Sequence, residues 1–323
     1  MRIVNVVSVV AGFNLLLGSY SLGQGSLTPP GPPGPTMKSL SQIDSHIASA
    51  GEKRIPIDAT HTPGDKQNHS FIISQPGSYY LAGNIHITSA LNGISVQAGD
   101  VTIDLNGFTL AGPGKNGSGG SAIVAASVND VRVHNGFIDG WPHDAISVAT
   151  VAVIQDLDIQ NCGGYGVHAG QQAQVRHCRV GAVQQGITVG ESSVVDSCIV
   201  IAGATTNIAT DSHCLITHNI SNFATQSPGY GIYPGAGSIV RDNVCNKNKQ
   251  GIFTDNVGVW IEGNVAELNS VYGIHVMDDS DVVIRNVAGN NALFNYVKPG
   301  GSPNFGTVQS PSSMTNPAAN IEL

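Results

Sequence analysis

The chain has 323 residues, 41% of them hydrophobic, enough to bury a large core. Only 11% are charged, against roughly a quarter in ordinary domains, and the net charge is −8. That balance offers no basic face, which argues against nucleic acid and anionic membrane as partners. It also repels an acidic polysaccharide at long range unless a basic patch or a cation intervenes.

At the N-terminus, Arg2 precedes the apolar run VVSVVAGFNLLLG, which has the length of a signal-peptide core and is short for a membrane span. Small residues at Ser19 and Ser21 suit a cleavage site, so residues 1–21 read as a signal peptide; a retained anchor is the competing reading, since Arg2 is the one charge of the n-region. Export to the periplasm, the envelope or the medium follows. No later segment is apolar for long enough to span a membrane. Residues 22–35 contain TPPGPPGP and read as a stiff linker. Residues 36–49 read as a short helix capped by Thr36, with Met37, Leu40, Ile43 and Ile47 on one face. With the strand-like FIISQPGSYYLAGNIHI, this helix forms an N-terminal capping region over 36–91.

From residue 92 to 296 the sequence repeats. Gly93-Ile94, Ala122-Ile123, Ala145-Ile146, Gly166-Val167, Gly186-Ile187, Asn207-Ile208, Gly231-Ile232, Gly251-Ile252 and Gly273-Ile274 recur at intervals of 20 to 29 residues. Such a period marks a solenoid. Strands such as GISV, AISV, GITV and GIHV alternate, placing Ile and Val inward and the residue between them outward. A second column, Asn106, Asn135, Cys178, Cys198, Asn219, Asn243, Asn264 and Asn286, falls at equivalent turns, with Leu157 between Asn135 and Cys178. Stacked Asn side chains there satisfy turn backbone. Three short strands per turn fit the spacing, so the expected fold is an all-β solenoid of about nine coils. Residues 297–323 read as a C-terminal cap or tail. The five cysteines, Cys162, Cys178, Cys198, Cys214 and Cys245, cannot all pair within one chain and read as buried thiols.

These coils resemble the right-handed parallel β-helix of the pectin-lyase-like fold. TPPGPPGPTMKSLSQI, SQPGSYYLAGNI and VTIDLNGFTLAG are similar to segments of exported bacterial β-helix proteins. The resemblance implies the fold without choosing an activity, because the fold hosts lyases, hydrolases, epimerases, tailspikes and adhesins.

Two motifs bear on chemistry. Polygalacturonases place an acidic residue just before a coil-opening strand, and here Pro142-His143-Asp144-Ala145 matches only at Asp144. WPHD is similar to the Asp-Pro-His-Asp motif of alginate epimerases, with Trp141 in place of the first Asp. With Tyr165 and His168 one coil on, His143 and Asp144 form the candidate catalytic group, an acid–base set for proton removal beside a uronate carboxylate. The competing reading makes Asp144 a cap for turn amides, since Asn92, Ser121, Gln185 and Gln250 share its corner. Tyr230, Tyr233, Phe253, Tyr272 and His275 offer aromatic faces with polar tips, which suit sugar rings; the competing reading is that the Tyr side chains cover the solenoid edge. Asp278, Asp279 and Asp281 form a candidate calcium site. The expected function is polysaccharide binding or processing as lyase, epimerase or hydrolase. The alternative is a non-catalytic surface or envelope protein that binds a protein partner.

Overall fold

The computed structural model describes Ser39 and residues 53–201, 203–300 and 304–323. The expected signal peptide, the linker and the helix over 36–49 lie outside the described residues, apart from Ser39. The rest folds as a right-handed parallel β-helix. A typical coil carries three strands, as in Gln185–Val189, Val194–Asp196 and Ile199–Ile201. Each strand pairs in parallel with its counterpart one coil away. In two coils the strands run on around the corners, giving Ile123–Asp139 and Ile146–Gln160.

The Ile/Val column predicted from the repeat is the centre of the core. Ile94, Ile123, Ile146, Val167, Ile187, Ile208, Ile232, Ile252 and Ile274 are fully buried and stack in register. β-Branched side chains lock into one rotamer on such a surface and pack well against their copies.

The stack has about 11 turns rather than nine. Phe71 pairs with Ile94 at one end, and Tyr296 with Ile274 at the other. The β-helix therefore starts within the region read as a cap, with strands from Ile55 onward. The extra coils escaped the repeat because each puts an aromatic ring where inner coils have Ile or Val. An end coil lacks a neighbour on one side, and a larger ring covers more of the exposed core.

The Asn column is real but shorter than expected. Asn219, Asn243, Asn264 and Asn286 are buried; Asn243, Asn264 and Asn286 each accept both the backbone N–H and the side-chain amide of the Asn before them, at 2.9–3.0 Å, and Asn219 accepts the Cys198 backbone N–H at 2.9 Å. Cys198 and Cys178 continue it, with thiols directed at carbonyls. Asn106 and Asn135 do not belong to it. They are exposed, with φ of 54° and 62°, and hold the left-handed bend that Asp156, His177 and Ser197 hold in later coils. A second ladder runs through Asn248, Asn269 and Asn291, at 2.8–2.9 Å per step. All five cysteines are buried free thiols.

The tail returns to the stack. Val287 pairs with Ile321, and Asn320 accepts the Asn286 backbone N–H at 3.1 Å as the last rung of the first ladder. No helix among the described residues is long and apolar enough to cross a membrane.

A third inward column carries an electrostatic cost. Ser193 and Ser238 each accept a backbone N–H from the preceding coil, at 3.0 and 3.1 Å. Asp281 occupies the same column and accepts the Val259 N–H at 2.8 Å, but its other oxygen is buried without a partner. Burial pushes this carboxyl up to about 6. The folded state therefore favours the protonated acid. Its stabilising contribution is complete below the unfolded value near 3.8 and is lost as pH rises through about 6. Asp281→Ser restores the residue type of Ser193 and Ser238. We expect it to raise the denaturation midpoint at pH 8, to leave it little changed at pH 4, and to flatten that part of the pH profile. A midpoint at pH 8 equal to or below wild type would refute this assignment.

Candidate functional site

The alternation that points Ile and Val inward turns every second residue of the first strand outward. On that outer face, the paired coils align Ser147, His168, Thr188, Ala209 and Tyr233. Phe253 and His275 continue the line. The corner before the strand aligns Tyr165, Gln185, Thr206, Tyr230, Gln250, Tyr272 and Phe294. Where the two columns are both aromatic, they merge.

The five predicted binding residues form one surface. Tyr230 stacks on Phe253, with centroids 4.6 Å apart and planes at 17°. Tyr233 lies 5.4 Å from Tyr230 and 5.9 Å from Phe253. His275 packs on Phe253 at 5.0 Å and edge-on to Tyr272 at 4.8 Å. The structure adds Phe294, stacked on Tyr272 at 6.2 Å and 60% exposed. Sequence reading missed it because it opens the unrecognised last coil. The strip crosses four coils, about 14 Å at strand spacing. Phe253, only 7% exposed, is its floor, and Phe294 its open rim.

The polar tips are ordered. The Tyr233 hydroxyl donates to Asp255 at 2.8 Å. Burial, reinforced by Asp255, holds the Tyr233 phenol above its usual range, so it stays protonated. His275 Nδ1 is 3.0 Å from Gln250 Oε1, an acceptor, so the proton belongs on Nδ1. Burial lowers the His275 value and keeps the ring neutral, leaving Nε2 as an acceptor.

The catalytic candidates stand further along the same face, separated from the strip by the coils of Gln185 and Thr206. Tyr165 and His168 stack at 4.7 Å. Asp144 lies beside Tyr165, but its Oδ1 accepts the Tyr165 backbone N–H at 2.9 Å. Asn92 Oδ1 makes the same bond to Ser121 N–H at 2.9 Å. Asp144 thus performs a capping job that an amide performs elsewhere in the chain. His143 is exposed, and Trp141 is fully buried, its indole N–H donating to Leu110 O at 3.2 Å. The first position of the epimerase-like motif therefore faces the core.

The calcium candidates are divided between tasks. Asp278 accepts the backbone and hydroxyl donors of Ser280, Asp279 is exposed, and Asp281 turns inward to Val259. Among the described residues, no three acidic, His or Cys side chains gather as metal ligands.

A cavity of about 380 Å³ opens at the end of the first strand, beside Tyr233. Glu191, Asp211 and Asn256 line it together with Gln171 and Ser212. Sequence reading did not find it. Its residues come from separate coils and carry no shared motif, and only exact stacking brings them together.

No family model matches the chain, and no curated protein matches it. Solved structures share the fold at low identity. An alginate lyase from Paenibacillus sp. str. FPU-7 is 14% identical over 77% of this chain and 92% of its own, with a TM-score of 0.48. A mutant of the periplasmic alginate epimerase AlgG is 8% identical over 88% and 89%, with a TM-score of 0.42. A mutant tailspike protein of E. coli bacteriophage HK620, in complex with a pentasaccharide, is 14% identical over 85% and 56%, with a TM-score of 0.37. The likeness is one of fold.

Proposed function

We propose that this chain is an exported β-helix protein that binds a polysaccharide along its aromatic strip. The observation that carries this reading is the continuity of Tyr230, Tyr233, Phe253, Tyr272, His275 and Phe294 over four successive coils. Sugar rings present apolar C–H faces and polar edges. The strip supplies apolar ring surface for the first and fixed polar tips for the second. The apolar run after Arg2 supports export.

The test is a polysaccharide panel, read for both retention and chemistry. Full-length wild type is compared with Tyr272→Ala on immobilised glycans, and truncating this central ring is expected to weaken binding about tenfold or more. In parallel, each glycan is incubated in heavy water with wild type and Asp144→Asn, and its mass recorded. Chain cleavage, loss of water or carbon-bound deuterium distinguishes hydrolase, lyase and epimerase. Because Asn92 already caps a turn as an amide, Asp144→Asn is expected to fold normally. Chemistry lost in that variant would assign Asp144 a reactive role. Retention unchanged in Tyr272→Ala would remove the strip from the binding surface.

A second reading has its own observation. On the next face Val194, Leu215, Ile239, Trp260 and Val282 align as an outward apolar row, with Ile239 and Trp260 43% and 42% exposed. That row suits a protein partner, and Trp260→Ala with glycan retention intact would separate the two faces.

A further inference from the structure

The cavity beside Tyr233 bears on which glycans the strip accepts. We propose that it holds one residue of a neutral or amino-substituted glycan and discriminates against uronate chains; this rests on the glycan reading above and narrows it. Tyr233 belongs to both features. Its ring stacks in the strip and also walls the cavity. A chain lying along the strip therefore reaches the cavity without leaving the aromatic surface. The volume, about 380 Å³, falls in the range of small-molecule sites.

The lining is polar. Gln171, Ser212 and Asn256 offer donors and acceptors, and Glu191 and Asp211 offer carboxylates. Asp255, which accepts the Tyr233 hydroxyl, adds a third carboxylate beside that ring, outside the lining itself. Among the described residues, no Lys or Arg lines the cavity. The imidazole of His213, largely exposed, places Nδ1 3.2 Å from Glu191 Oε1. Lys249 stands at the other edge of the strip, with its ammonium on Ser227 Oγ at 3.0 Å.

Carboxylates accept charge-assisted hydrogen bonds from sugar hydroxyls, and they pair with an amino sugar's ammonium. They repel a sugar carboxylate at close range, and the chain's net charge of −8 adds to that repulsion at long range. A uronate site needs a group that neutralises the carboxylate, and the lining holds the opposite charge.

The experiment is calorimetric titration of the full chain with hexasaccharides of mannose, glucose, glucosamine, galacturonate and mannuronate. The variants are Glu191→Gln/Asp211→Asn and Tyr272→Ala, each checked for native circular dichroism. A neutral or glucosamine hexasaccharide is expected to bind. Its affinity should fall about tenfold in the double variant, the scale of a lost hydrogen bond to a charged group, and the uronates should bind wild type at least tenfold more weakly. A uronate that binds as tightly as the best neutral or amino chain, and is lost in Tyr272→Ala, would overturn the selectivity and leave the glycan reading standing. Unchanged affinity in the double variant would remove the cavity from the site. Binding of none of the five would overturn both.

Discussion

Asn264→Ala should cost about 4 kcal/mol of stability, because one truncation strands several buried polar groups. Asn264 is fully buried. Its Oδ1 accepts the backbone N–H of Asn243 at 2.9 Å and its side-chain amide at 3.0 Å. Its Nδ2 faces Val240 O at 2.9 Å, Glu262 O at 3.0 Å and Asn286 Oδ1 at 3.0 Å. The site is fully buried, and a methyl group supplies none of these bonds. Urea denaturation gives the global loss. Hydrogen exchange at the Asn243 amide gives the local one, and that amide should exchange much faster in the variant. A loss under about 1 kcal/mol with unchanged Asn243 exchange would show that the ladder is ornamental to stability.

The same ladder shows what the sequence makes legible. Its members recur in the chain because one geometry is imposed at every coil, so a buried Asn at one turn predicts a buried Asn at the next. The Ile/Val column is legible for the same reason, and Tyr233, Phe253 and His275 of the proposed strip follow from it by alternation. Legibility fails where the repeat changes its residue type. Phe71 and Tyr296 replace Ile at the ends, so two coils, and Phe294 with them, were missed. Asn106 and Asn135 imitate the column by residue type while serving a neighbouring left-handed bend. The second ladder was available in principle, since Asn248, Asn269 and Asn291 share the coil period. The cavity was not, because Glu191, Asp211 and Asn256 are unlike residues whose proximity depends on the exact offset between coils.

Trp141→Ala should destabilise the fold by a similar amount, about 4 kcal/mol. Trp141 is the largest fully buried side chain, and its place is carved by glycines. A Cβ at Gly112 would come within 2.7 Å of the indole, and one at Gly93 within 2.9 Å. Truncation leaves a large void and strands the Leu110 carbonyl that accepts the indole N–H. Trp141→Asp, which would complete the epimerase-like motif, should be worse still, because it adds a buried charge. If Trp141→Asp were as stable as wild type, the inward placement of this position would be wrong and the motif would regain its catalytic reading.

The most direct measurement is a crystal structure of the full chain with the panel oligosaccharide that binds best. The expected density places sugar rings against Tyr230, Tyr272 and Phe294, with polar edges near the Tyr233–Asp255 pair and His275 Nε2. Sugar on the Ile239–Trp260 face, or beside Asp144 with the strip bare, would contradict the assignment of the strip as the binding surface.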